Sequence, residues 1–304
     1  MKPTGIGDEA GSPLETQIRA TQALGWDSIE LRNIQAGPFP NGNFHEISDE
    51  AFDLAAGMLA DAGIGASGVG SAIGNWAHSV QDDFQITLDE IGRCIPRMQR
   101  LGCRIVRIMS YAIVQDGGSD APEQFAAERF RRVREIRDRF ESAGITPVHE
   151  NCMNYGGMGI RYALELLENV PGLKWVFDTG NPVFNRDRDQ PKPHPMQDAW
   201  AFYEAVRDQI IHVHVKDGIW HEDRNEMQYT MPGDGDGRVL DILRDLHQRG
   251  YQGYISIEPH LDVVFHDTGG EGEAGDPEAK AKIQFDNYVE YGRRLESLIA
   301  RSKA

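Results

Sequence analysis

The chain has 304 residues, 31 Lys and Arg against 48 Asp and Glu, a net charge of −17, and 40% hydrophobic and 26% charged residues. That is enough apolar material for a packed core, and the length suits either two ordinary domains or one large α/β barrel. So acidic a surface repels nucleic-acid phosphates and anionic lipid, and the one basic run, 129–139, reads as a solvated helix face.

Short β-rich runs alternate with longer amphipathic stretches, and eight such pairs are predicted. A weakly marked strand at 4–7 precedes a helix at 13–24, and a strand at 28–31 precedes a helix at 49–62 that Gly63 caps. The third pair is a glycine-diluted strand at 66–71 with a helix at 86–101. The fourth is a strand at 104–109 with a helix at 122–143, Pro122 standing at its first position and Gly144 at its stop. Strands at 146–150, 175–178, 210–215 and 254–258 follow, interleaved with helices at 162–169, 198–207, 239–249 and 280–300.

Eight pairs in this length predict one (β/α)8 TIM barrel, a single domain spanning 1–304. A doubly wound sheet would show a glycine-rich phosphate turn after an early strand, but Gly5-x-Gly7 lacks the third glycine, and there is no Walker motif. Two connectors are long: 182–197, with Pro182, Pro191, Pro193 and Pro195, and 261–279, rich in glycine and acids. Loops of that size are expected as lids, subunit contacts or disordered excursions rather than filler. Cys94, Cys103 and Cys152 have no C-x-x-C spacing, residues 1–12 hold no apolar leader core, and no segment approaches ~20 apolar residues. A reduced, cytoplasmic protein is expected.

The chemistry concentrates at the ends of strands five to eight. Glu150, Asp178, His214 and Glu258 lie 28, 36 and 44 residues apart, about one β/α unit each, so four consecutive strands would aim one ligand apiece at the barrel mouth. A lone acid at a strand end is usually a helix cap. Four in register, each after an apolar run, would be costly to bury without a cation. Three carboxylates and an imidazole suit a hard divalent ion, with Mn²⁺ expected first and Mg²⁺, Co²⁺ or Zn²⁺ as alternatives. His212 and Lys216 share the face of His214 by the strand's period of two. His212 is expected to support the site or face substrate, and Lys216 to fix a substrate oxygen or pair with an acid such as Asp217. His149 should point outward into packing, and Glu30 should pair with Arg32 or a sugar hydroxyl.

These residues resemble the xylose isomerase-like (β/α)8 barrels, the sugar phosphate isomerase/epimerase group that includes ketose 3-epimerases and inosose dehydratases. The resemblance covers essentially the whole chain. It is carried by Glu150-Asn151-Cys152, Asp178-Thr179-Gly180-Asn181, His212-x-His214-x-Lys216-Asp217, Pro232-Gly233-Asp234-Gly235 and the run from Gly250 to Glu258. It implies a divalent metal held by Glu150, Asp178, His214 and Glu258, with both glutamates facing the substrate carbon. Asn181 stands where many relatives have a histidine, and Trp220 where the ketose 3-epimerases have an arginine. Trp220, His221 and His260 therefore suggest a roomier, aromatic-walled pocket, and Trp76 would either wall that pocket or plug the barrel mouth.

The function expected is a metal-dependent sugar or keto-sugar isomerase or epimerase. One glutamate would remove a proton beside a carbonyl, the metal would stabilise the enediolate, and the other glutamate would return the proton. A lyase or dehydratase on a 3-keto-glycoside or keto-cyclitol would use the same site. An endonuclease IV-like phosphodiesterase would need more early histidine ligands and a basic track, whereas strand three ends at Ser71 with only His78 nearby. A catalytically silent barrel would hold no metal after dialysis. The expected partners are a small sugar and further copies of the chain in a homo-oligomer, without nucleic acid or membrane.

Overall fold

The computed structural model describes residues 1–261 and 277–303. Eight parallel strands form one sheet: β1 (Lys2–Gly5), β2 (Ser28–Leu31), β3 (Gly65–Gly70), β4 (Ile105–Ile108), β5 (Thr146–Glu150), β6 (Lys174–Asp178), β7 (Ile210–Val215) and β8 (Tyr254–Ile257). Each is followed by a helix: α1 (Leu14–Ala23), α2 (Asp49–Ala62), α3 (Phe84–Leu101), α4 (Ala126–Ser142), α5 (Ile160–Asn169), α6 (Ala199–Val206), α7 (Val239–Gln248) and α8 (Pro277–Arg301).

The strands run in consecutive order from β2 round to β8, which pairs with β1. At the remaining seam a single parallel bridge joins Ile6 to Glu30, and Thr4 Oγ1 donates to Ser28 O at 2.9 Å. The sheet is thus the TIM barrel that the β/α rhythm predicts. Its strands are buried on both faces because helices cover the outside and side chains fill the inside. Trp175, Phe177, Val213 and Ile255 are fully buried, whereas Thr4, Ser256, His212 and Glu30 give the barrel interior a polar filling.

α2 starts where Ser48 Oγ accepts from Ala51 N–H and stops where Gly63 takes φ +67°, the left-handed cap predicted for it. The helix predicted from Pro122 begins instead at Ala126. Residues 115–120 form a small hairpin, and Gln124 exchanges hydrogen bonds with both Val114 N–H and Val114 O, which pins the approach to the helix away from its axis. The basic run is not uniformly solvated either. Arg129 is fully buried and donates to the carbonyls of Gln124, Ser110, Tyr111 and Ala112, and Arg132 is buried beside it.

The 182–197 connector opens with a helical turn, Asn181–Phe184, and is tied back on itself by a bridge between Arg186 and Met196. Most of the 261–279 connector lies outside the described residues, and its last three residues already belong to α8. Among the described residues no helix is long and apolar enough to cross a membrane.

Candidate active site

Parallel register brings the ends of β5 to β8 level: Val176 pairs with Glu150, Asp178 with His214, and His214 with Ser256. Glu150, Asp178, His214 and Glu258 are all buried, and each offers a ligand atom within 4.8 Å of the others. His214 Nδ1 lies 2.9 Å from Glu150 Oε1 and 3.9 Å from Glu258 Oε2. Asp178 is held rigidly. Its Oδ1 accepts from the N–H groups of Gly180 and Asn181 at 2.8 and 2.7 Å, and Asn151 clamps its backbone from both sides.

Two buried carboxylate oxygens, Glu150 Oε2 and Asp178 Oδ2, have no hydrogen-bond donor among the described residues, although Arg107 and Lys216 stand at ion-pair distances of 3.3 and 3.1 Å. His214 Nε2 donates to Glu30 Oε1 at 3.0 Å and Nδ1 to Glu150 Oε1 at 2.9 Å, and an ion among the acids would replace the Nδ1 proton while Glu30 keeps the one on Nε2. Glu30 also takes His212 Nε2 at 2.8 Å. A carboxylate behind a histidine, with the histidine's other nitrogen among carboxylates, is the arrangement that orients a metal ligand. The four residues therefore fit a hard divalent cation.

The charges favour the same occupant. Asp8, Glu9, Glu30, Glu150, Asp178 and Glu258 are buried around Arg32, Arg107 and Lys216, six acids against three permanent cations, and burial together with Glu258 and Glu150 pushes Asp178 up to about 7. Burial opposes charge on His214, but Glu30 and Glu150 outweigh it and push the imidazole up to about 10. Burial would also raise the two glutamates, yet Arg107 and His214 hold Glu150 below the usual carboxylate range. Lys216, His260 and Arg32 hold Glu258 well below it. Both glutamates are thus ionised and able to accept a proton.

A cavity of about 360 Å³ opens over this cluster, within the range of small-molecule sites. Glu150, Glu258, Lys216, Asn181, His260 and Trp76 line it. Lys216 Nζ bridges Asp178 and Glu258 at 3.1 and 3.2 Å, and does not pair with Asp217. Asp217 accepts from the N–H groups of Gly218, Gly233, Gly235 and Gly237, so it shapes the loop before α7. Asn181 Nδ2 is buried without a partner among the described residues.

Two residues expected to face substrate lie elsewhere. His212 is sealed inside the barrel by Glu30 and the His214 ring and does not line the cavity. Trp220 belongs to a hairpin, Gly218–His221 with Glu226–Tyr229, and its ring packs on Arg186 beside an outer groove. The same hairpin's register sends Tyr229 to the cavity instead, 5.3 Å from the His260 ring, with Phe184 beside it. His221 meets Gln228 on the exposed end of the hairpin. His149 packs against Trp175 outside the barrel axis.

Sequence reasoning missed the arginines. Arg32 joins Glu258 at 2.7 Å to Asp8 and Glu9, so its partner is not Glu30, and Arg107 stands against Glu150. Arg107 carried a signal, a charge in the apolar strand β4. Arg32 carried none beyond its place just after β2.

A model of the xylose isomerase-like TIM barrel family matches residues 18–285. No curated protein matches the chain in sequence. Solved structures with the same fold include a xylose isomerase-like TIM barrel protein from Mycobacterium smegmatis in complex with magnesium, 18% identical over 98% of this chain and 97% of that one, TM-score 0.64. D-psicose 3-epimerase with D-tagatose from Clostridium cellulolyticum H10 is 16% identical over 96% of this chain and 98% of that one, TM-score 0.62. A probable 3-DHS dehydratase from Bacillus anthracis is 16% identical over 97% of this chain and 99% of that one, TM-score 0.64.

Proposed function

The chain belongs to the xylose isomerase-like TIM barrel family, and from that premise we propose that it is a divalent-metal-dependent isomerase or epimerase of a sugar or keto-sugar. The observation that carries this is the placing of two ionised glutamates, Glu150 and Glu258, on one cavity with His214 between them. Epimerases and a dehydratase among the proteins of like fold support the same chemistry.

Glu150, Asp178, His214 and Glu258 would hold the ion, Mn²⁺ first, which would polarise a substrate carbonyl and stabilise negative charge on its oxygen. A carboxylate oxygen of Glu258 or Glu150 takes the proton from the carbon beside that carbonyl, and the other glutamate, after taking a proton from solvent, delivers it from its own side while the first releases its proton to solvent. Return to the same carbon inverts it; return to the neighbouring carbon isomerises the sugar. Lys216 holds Asp178 and Glu258 in place and offers an ammonium to a substrate oxygen, and Asn181 Nδ2 offers a donor. Trp76, Tyr229 and His260 wall the ring in.

Glu258→Gln is expected to abolish solvent-deuterium incorporation into keto-sugars, and retained exchange would remove Glu258 from the mechanism. Exchange accompanied by loss of water or aglycone would assign the elimination that the same two glutamates can run.

A further inference from the structure

The hairpin that follows β7 brings the cavity a hydroxyl as well as a ring. Gly218 faces Tyr229 across its two strands, and a Cβ at Gly218 would stand 2.6 Å from Gln228 O, so the strands pack too closely for any other residue there. Thr230 N–H donates to Asp217 O at 3.0 Å and closes the hairpin directly after Tyr229. These contacts fix the point at which Tyr229 leaves the backbone. Its ring is then set by two neighbours, the Phe184 ring edge to face at 6.0 Å and the His260 ring at 5.3 Å.

The hydroxyl is left over. Tyr155, Tyr203 and Tyr251 donate their phenol protons to Glu165, Asp245 and Tyr254 O, whereas the Tyr229 hydroxyl has no hydrogen-bond partner among the described residues. Tyr229 is half-buried and lines the cavity that holds Glu258 and Lys216. Burial pushes its pKa up, with Lys216 opposing and Glu258, Asp178 and Glu9 adding to the rise, so the phenol is a donor at neutral pH. Lys216 Nζ lies 5.5 Å from the centre of the Phe184 ring, so an ammonium and a phenol flank that ring beside Glu258. When a carbon beside a carbonyl gives up its proton, negative charge grows on oxygen. A donor fixed in a partly buried cavity is worth most where such charge grows, because it needs no reorganisation during the reaction.

We propose that Tyr229 is a catalytic residue whose hydroxyl donates a hydrogen bond to the substrate oxygen that gains negative charge as the neighbouring carbon loses its proton. The phenol itself transfers no proton. The assignment rests on the keto-sugar chemistry proposed above. Tyr229→Phe keeps the ring and its two aromatic contacts and removes only the oxygen. In the Mn²⁺-loaded protein this variant is expected to lose about 100-fold in kcat for solvent-deuterium exchange into a keto-sugar, with KM changed by less than about threefold. Trp220→Phe, on the outer groove, should exchange at the wild-type rate. Unchanged kcat in Tyr229→Phe, or a loss confined to KM, overturns the proposal. Calorimetry with glycolohydroxamate, an anion that chelates a divalent ion through two oxygens as an enediolate would, separates this proposal from the reading beneath it. Its binding to the Mn²⁺-loaded protein should weaken about tenfold in Tyr229→Phe. If no keto-sugar exchanges deuterium, that weakening still supports the hydroxyl as a donor to oxygen charge, and equal binding in the two proteins, or none, overturns it.

Discussion

His214 stands between two carboxylates, with Glu30 behind it and Glu150 in front, and that placing governs how the site should respond to mutation and pH. Glu30→Gln keeps the shape but removes the charge that holds the Nε2 proton, so Mn²⁺ affinity measured by calorimetry should weaken by about 10-fold to 100-fold. Unchanged affinity would make Glu30 a packing residue. The ring, pushed up to about 10 without the ion, is protonated at neutral pH and must give up its Nδ1 proton to ligate. Binding therefore releases a proton, and affinity should fall as pH is lowered; titrations in buffers of different ionisation enthalpy would report the release. Asp217 is a second residue with a calculable role. Four backbone N–H groups converge on its carboxylate, so Asp217→Ala should lower urea-unfolding stability by on the order of 3 kcal/mol.

At the scale of the elements, local patterning carried most of the information. α2 runs over the residues that its cap signals mark, and Ser48→Ala should cost about 1 kcal/mol in chemical denaturation because Ala51 N–H loses its acceptor. β2, β5 and β7 also coincide with their apolar runs. The start of α4 was not legible because a side chain ten residues away overrides it: Gln124 bonds to Val114, and Pro122 falls in the turn that results. The 218–229 hairpin was missed for a similar reason. Its strands are short and half exposed, and its effect is to exchange Trp220 for Tyr229 at the cavity.

At the scale of the molecule, the acidic balance has two origins. Much of the −17 lies on solvated surfaces, but six acids are gathered inside the barrel mouth around three cations. The acids at the ends of β5, β6 and β8 could be read from their spacing, since each closes an apolar strand. Arg32 and Glu258 could not be paired that way, being 226 residues apart and joined only by closure of the barrel. Metal-dependent proton transfer requires that this excess of buried charge hold a working ion. Solvent-deuterium exchange into a keto-sugar, followed before and after chelation, tests that most directly. Exchange should vanish when the ion is stripped and return on adding one equivalent of Mn²⁺. Exchange at the same rate in the stripped protein would contradict a metal-dependent proton transfer at Glu150 and Glu258.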